Sequence, residues 1–234
     1  IVQMRSRDSL NNQIRNPFSL LKMGLDWAFR GRGALTVGAG QVGGAMRTDF
    51  APTDQPDLQL FVMPLSVDKP GEPLHRFPGF TSAIWQCHPR SRGSIEIKTP
   101  DPTAAPKIQP NYLADELDQK TMVEGIKILR QIYKQPKFRD LWDAEIVPGE
   151  QVRTDAEIID AIRKGGGTVY HPVGTCKMGI DAAAVVGPDL RVHGVTGLRV
   201  VDASIMPLIT SANTNAPTLM IAEKAAEMIL ASSH

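Results

Sequence analysis

The chain has 234 residues, 42% of them hydrophobic and 22% charged, with a formal net charge of +1. This is the profile of a globular protein long enough to bury a core in one large domain or two smaller ones. The near-neutral balance gives no electrostatic reason to expect nucleic acid, and no run of about 18 apolar residues is present to span a bilayer. The expected location is cytoplasmic or peripheral at the membrane. The opening residues, IVQMRSRDSL, show neither an initiator Met nor a signal-like apolar stretch, as expected of a chain cut from a longer one.

In residues 9–30, Phe18, Leu21, Leu25 and Phe29 recur at helical spacing, Pro17 suits a first helical turn and Asn16 its cap, so an amphipathic helix is predicted. Residues 31–57 read as loop. LQLFVMPLSV from Leu58 and GFTSAIWQCHP from Gly79 read as strands, GSIEIKT from Gly93 as a third, and the Pro-studded PDPTAAPKIQPNYL as an extended connection. From Ala114 to Gln135, Met122, Ile126, Leu129 and Tyr133 mark an amphipathic helix. Thr154 with Glu157 three residues on is a capping box, and the helix it opens stops at a glycine triplet. Leu198–Val201 reads as a short strand ending at Asp202, and a last helix is predicted from Pro217. Strands gathered before helices point to an α+β fold, an antiparallel sheet with packed helices.

The run GAGQVGG, Gly38 to Gly44, satisfies the G-x-G-x-x-G spacing of a dinucleotide loop. That motif needs a buried strand before it, a helix after it and an acidic residue about 20 positions on. Only ALTV precedes Gly38, and GAMRTDFAPTDQPD cannot sustain a helix past Asp49. Asp54 and Asp57 are roughly in place but sit in a Pro/Asp loop. A flexible connection is the expectation, with a nicotinamide enzyme as the rival that NADH binding would support.

The chemistry-bearing residues lie towards the C-terminus. In VYHPVGTCKMG, Val169 to Gly179, His171 sits at a sharp strand–loop transition. Cys176 offers a His/Cys nucleophilic pair, but no oxyanion hole or orienting third group is marked. His75, His88, His171 and His193 lack metal-ligand spacing, and the two cysteines, Cys87 and Cys176, are expected as free thiols of a reducing compartment. Asp202 at its strand end places a carboxylate where a ligand hydroxyl can be held. Asn213 and Asn215 precede a helix N-terminus, either as caps or as groups that hold electron-rich atoms.

Together these stretches resemble the glucose–methanol–choline (GMC) family of flavin-dependent alcohol oxidoreductases, in its choline dehydrogenase-like branch. The resemblance is carried by HPVGTCKMG followed by VVGPDLRVHGVTGLRVVDASIMPLITSANTNAPTLMIAEKAAEMI. It extends through RGSIEIKTPDP to roughly residues 90–234, and more loosely to GRGALT. It implies a catalytic pair, His171 to accept the alcohol proton and Asn213 to hold the same oxygen. It also implies FAD as cofactor, with Asp202 and Ala203 at its ribityl and phosphate part and Asn215 to Thr218 at the pyrimidine edge of its ring. Val169 and Tyr170 would line the substrate side. Family members carry a strand–GxGxxG–helix motif near their own N-terminus, whereas GAGQVGG falls in their substrate domain. The resemblance therefore implies a missing N-terminal FAD-binding segment, a substrate-binding domain at 1–160, and a closing segment of a Rossmann-like FAD-binding domain at 161–234.

Histidine, with an ordinary pKa of about 6.5, can take a proton near neutral pH and release it later. The implied activity is oxidation of a primary alcohol, choline-like or aliphatic, to an aldehyde, with oxygen or a quinone-type carrier as electron acceptor. A fragment without the main flavin site is expected to be inactive alone. A non-catalytic binding module derived from such an enzyme, or a family member with lyase activity, remains the alternative.

Overall fold

The computed structural model describes residues 1–232 apart from 7, 37, 39 and 70. It consists of two compact units that interleave in sequence, one of residues 1–85 and 120–167, the other of residues 86–119 and 168–234.

The first unit is built on a five-stranded sheet. Its strands are β1 (Val2–Met4), β2 (Val42–Met46), β3 (Leu58–Met63), β4 (Gly79–Gln86) and β7 (Trp142–Glu145), in the order β2-β3-β4-β1-β7. β1 pairs antiparallel with both β4 and β7, Val2 facing Phe80 on one side and Glu145 on the other. Neither three-residue β1 nor four-residue β7 is long enough to show the period-2 alternation that announces a strand. The helices are α1 (Leu10–Arg15), α2 (Pro17–Arg30), α3 (Glu116–Tyr133, whose first four residues belong to the second unit), α4 (Pro136–Arg139) and α5 (Asp155–Gly165). Mixed helix and antiparallel sheet is the expected fold class.

The glycine-rich run differs from expectation. Residues 42–46 form an edge strand in register with β3, Gly43 opposite Phe61, rather than a loop. Ala39 of that run lies outside the described residues. Gly40 makes room for the Phe61 ring, since a Cβ there would come within 2.4 Å of Phe61 Cδ1. Phe61 in turn stacks on Trp85 with ring centroids 5.1 Å apart. Asp57, at the ribose-acid distance in sequence, is buried and accepts from the Thr48 backbone N–H at 2.8 Å and its hydroxyl at 2.6 Å. Strand glycines and a loop-closing carboxylate account for the motif, and the nicotinamide reading falls with them.

α2 begins at Pro17, and the Asn16 side chain accepts from the N–H groups of Phe18 and Ser19. Its apolar stripe, however, is exposed, Phe18 at 81% and Phe29 at 82%. α3 carries the stripe predicted for it, with Leu129 and Tyr133 buried and Met122 and Ile126 half-buried. Its closest approach falls at Gly125, where a Cβ would meet Ile84 Cδ1 at 2.6 Å and Leu58 Cδ1 at 2.9 Å. Tyr133 ends α3 in an aromatic cluster with Phe80 and Trp142. Arg130 forms a two-pronged ion pair with Glu145 of β7, at 2.7 and 2.9 Å, and Glu145 also accepts from the Gly149 N–H. The Thr154–Glu157 capping box is complete, and Ile158 and Ile159 of α5 pack on Val123.

The second unit contains the hairpin of β5 (Ser94–Glu96) and β6 (Lys107–Gln109), Ile95 opposite Ile108, and the helix α6 (Asn215–Ala231). β6 lies in the stretch expected to be an extended connection. The expected strand at 198–201 reduces to a single bridge, Arg191 to Arg199. α6 starts at Asn215, two residues earlier than expected. The core is Val186, Leu190, Ile205, Met206, Ile221 and Ala225. Cys87 is buried and Cys176 half-buried, and among the described residues no helix is long and apolar enough to cross a membrane.

Candidate active site

Three segments of the second unit build the site: residues 168–179, the stretch from Asp202 to Thr214, and the first turn of α6. The first two are fastened by backbone hydrogen bonds from Cys176 N–H to Ser204 C=O at 3.0 Å and from Met178 N–H to Ile205 C=O at 2.8 Å. Gly174 makes the turn with φ +88, which a residue with a Cβ rarely adopts, and lies against the Met206 carbonyl. Ile221 and Ala225 anchor α6 in the same core as Ile205 and Met206. The loop that carries Asn213 has a second tie, Ser211 Oγ to His88 Nε2 at 3.0 Å. The neighbouring loop at Arg90–Ser91 is held by buried Asp118, which accepts from both backbone N–H groups and from the Ser91 hydroxyl.

These ties bring His171 and Asn213 together. Asn213 Nδ2 lies 2.8 Å from His171 Nε2, and Thr214 Oγ1 lies 2.9 Å from His171 Nδ1. An amide nitrogen only donates, so Nε2 accepts with its lone pair, and the neutral ring carries its proton on Nδ1, which donates to Thr214. Both ring nitrogens are occupied, which leaves none for a pair with the Cys176 thiol. His171 is half-buried, Asn213 exposed and Thr214 buried. An imidazole so held presents a basic nitrogen beside an amide, at the open end of a rigid frame.

Val169 and Tyr170, just before the histidine, are both exposed, Tyr170 at 76%. Tyr170 has φ +61, an outlier for a bulky side chain, and its N–H donates to the Thr168 hydroxyl at 3.0 Å. Strain of this kind concentrates where a binding surface has to be shaped. Asp202 is exposed and caps a 3-10 turn at Ala203–Ile205, where its Oδ1 accepts from the Ser204 N–H and hydroxyl. Thr218 is turned back on the helix: its N–H and hydroxyl both donate to the Thr214 carbonyl, at 3.0 and 2.6 Å. Asn215 is exposed and is the first residue of the helix rather than its cap.

The start of α6 is suited to an electron-rich ring edge. Its N-cap, Thr214, has φ −79 and ψ −3 and gives no side-chain hydrogen bond to the first turn. The leading N–H groups of a helix have no acceptor within it, so those of Asn215 and Ala216 are available to an outside acceptor, with the positive end of the helix dipole behind them. Leu219 and Met220 of the next helical residues are exposed at 60% each and give an apolar surface beside these donors. The donor set and this surface fit a flavin.

Thr214 is the residue that sequence reasoning missed. It stands between Asn213 and Asn215 as an ordinary hydroxyl, and only the missing cap on α6 shows that its hydroxyl is directed elsewhere.

A half-buried imidazole held between an amide and a hydroxyl, beside a helix start that fits a flavin, defines a candidate oxidoreductase site. The sequence profile described as GMC oxidoreductase matches residues 89–222, and the chain belongs to that family. It is 44% identical to an alcohol dehydrogenase (acceptor) of Pseudomonas putida over 217 residues, 91% of this chain and 39% of that protein. It is 40% identical to oxygen-dependent choline dehydrogenase 1 of Chromohalobacter salexigens, over 89% of this chain and 37% of that protein. Among solved structures it resembles pyridoxine 4-oxidase from Mesorbium loti, with 31% identity, a TM-score of 0.73, and coverage of 81% of this chain and 37% of that one. Aspergillus oryzae formate oxidase, in a study of its FAD modification, shares the fold at TM-score 0.88 and 24% identity, over 99% of this chain and 45% of that one. The chain thus spans about two-fifths of the length of the curated relatives it matches. FAD is the cofactor that goes with the family.

Proposed function

We propose that this chain is the C-terminal part of a longer FAD-dependent enzyme that oxidises a primary alcohol to an aldehyde. Residues 1–160 would supply the substrate-binding domain and residues 161–234 the closing segment of the FAD-binding domain, the rest of that domain coming from an N-terminal segment. The observation that carries the reading is the 2.8 Å contact between Asn213 Nδ2 and His171 Nε2. Those two groups are what an alcohol hydroxyl needs, a base for its proton and a donor for its oxygen. The names of the P. putida and C. salexigens relatives, an alcohol dehydrogenase (acceptor) and an oxygen-dependent choline dehydrogenase, support an alcohol substrate. The alcohol would be choline-like or aliphatic, and the acceptor oxygen or a quinone-type carrier.

The hydroxyl enters between the two side chains and takes the place of the Asn213 amide at Nε2. His171 accepts the hydroxyl proton at Nε2 while Nδ1–H continues to donate to Thr214. Asn213 donates to the oxygen as negative charge develops on it, a donor placed where charge appears. A bound flavin would supply the two-electron acceptor for the hydride of the alcohol carbon. Asp202, Ala203, Asn215 and Thr218 would hold it, through the exposed carboxylate at 202 and the first turn of α6. Val169 and Tyr170 would shape the alcohol's side of the site and exclude water.

The test is a panel of primary alcohols, choline included, on the purified full-length protein with an artificial dye as acceptor. Dye reduction by at least one primary alcohol, by a protein with a flavin spectrum, is expected. A flavin-free protein, or a flavoprotein that no alcohol reduces, would overturn the reading.

A further inference from the structure

The base proposed above has to keep one nitrogen unprotonated and aimed at the substrate, and two observations on Thr214 bear on how. First, Thr214 Oγ1 lies 2.9 Å from His171 Nδ1 and the side chain is buried. Second, Thr214 is the N-cap of α6, but its side chain does none of the usual work of one. A threonine N-cap normally has extended backbone and accepts from the second or third amide of its helix. Thr214 has φ −79 and ψ −3, and its side chain gives no cap bond. That turns the hydroxyl off the helix and onto the imidazole. The turn is closed without it, because the Thr214 carbonyl takes both the N–H and the hydroxyl of Thr218.

We propose that Thr214 is the positioning residue of His171, its hydroxyl accepting from Nδ1–H so that the ring is held with the Nε2 lone pair towards Asn213 and the incoming alcohol. The inference rests on the reading of His171 as base. When the alcohol displaces the Asn213 amide from Nε2, the Thr214 hydrogen bond at Nδ1 still fixes the rotation of the ring. A ring rotated away, or carrying its proton on Nε2, offers the hydroxyl no lone pair. Because Thr214 is buried behind the imidazole, its loss acts on rate and leaves alcohol affinity nearly unchanged.

The experiment uses the full-length flavoenzyme and three variants, His171→Ala, Thr214→Val and Thr214→Ser, read by single-turnover flavin reduction and by 15N NMR of selectively labelled histidine. Thr214→Val is expected to slow reduction by about 10- to 100-fold at unchanged alcohol affinity. It is also expected to shift the His171 ring from the Nδ1–H form towards a mixture, with the flavin retained. Thr214→Ser, which keeps the hydroxyl, is expected to restore both readouts. If His171→Ala is slow and Thr214→Val matches the parent in rate and NMR signature, the positioning role is wrong while the base survives. If Thr214→Ser is as slow as Thr214→Val with the ring form unchanged, the residue is merely structural and the inference fails. If His171→Ala reduces normally, the base reading itself is wrong and the inference goes with it.

Discussion

Asn213 and His171 are 42 positions apart in the chain, yet the amide nitrogen of one lies 2.8 Å from Nε2 of the other. The contact exists because residues 176–178 are fastened to residues 204–205 by backbone hydrogen bonds while Ile221 and Ala225 hold α6 in the adjoining core.

Removing the amide should therefore act on the alcohol itself. In the full-length enzyme Asn213→Ala is expected to lower the flavin reduction rate by about 100-fold, the usual consequence of deleting one donor to a developing negative oxygen. Unlike Thr214→Val, it should also weaken alcohol binding, because Asn213 is exposed at the site. Stopped-flow titration with the alcohol separates the two effects. An unchanged affinity would place Asn213 away from the substrate oxygen.

The approach at Gly125 sets the packing of the first unit. A Cβ there meets Ile84 and buried Leu58 below 3.0 Å, and a branched side chain adds more atoms to the same space. Gly125→Val is expected to destabilise the protein by about 1–3 kcal/mol through overpacking, despite replacing a helical glycine. A denaturant titration measures this, and a gain in stability would show that the helix and sheet have room to part.

The capping box at Thr154 gives a pH-dependent contribution. Glu157 accepts from the backbone N–H groups of Thr154 and Arg153, and these bonds hold its carboxyl below the ordinary range. A carboxyl with a folded pKa below its unfolded one stabilises fully above the unfolded value, about 4.3, and loses that contribution as pH falls through the folded value. The difference in thermal midpoint between the parent and Glu157→Gln should be present at pH 6–7 and shrink below about pH 4.3. A difference that grows on acidification would contradict the assignment.

Much of this was legible in the sequence, and the exceptions have physical causes. The helices with periodic stripes, α3 and the capped α5, and the two long strands are readable because pattern and packing agree in them. Strands β1, β6 and β7, at three or four residues, carry too few positions for a period, and β2 is masked by Gly43 and Gly44, which look like loop but pair in register with β3. The stripe of α2 marks a helix, but helical period says nothing of whether a face is covered, and here Phe18 and Phe29 are exposed. At the site, His171 and Asn213 were recognisable as an ordered motif. Thr214 was not, because its role depends on an N-cap that leaves its helix uncapped, a matter of two backbone angles rather than residue type.

The central claim is that the His171 imidazole takes the alcohol proton at Nε2. Single-turnover reduction of the full-length flavoenzyme by its alcohol, compared with His171→Ala, tests it most directly. The account requires the variant to keep its flavin and to be reduced about 100- to 10,000-fold more slowly. Reduction at the parent's rate, with the flavin bound, would contradict it.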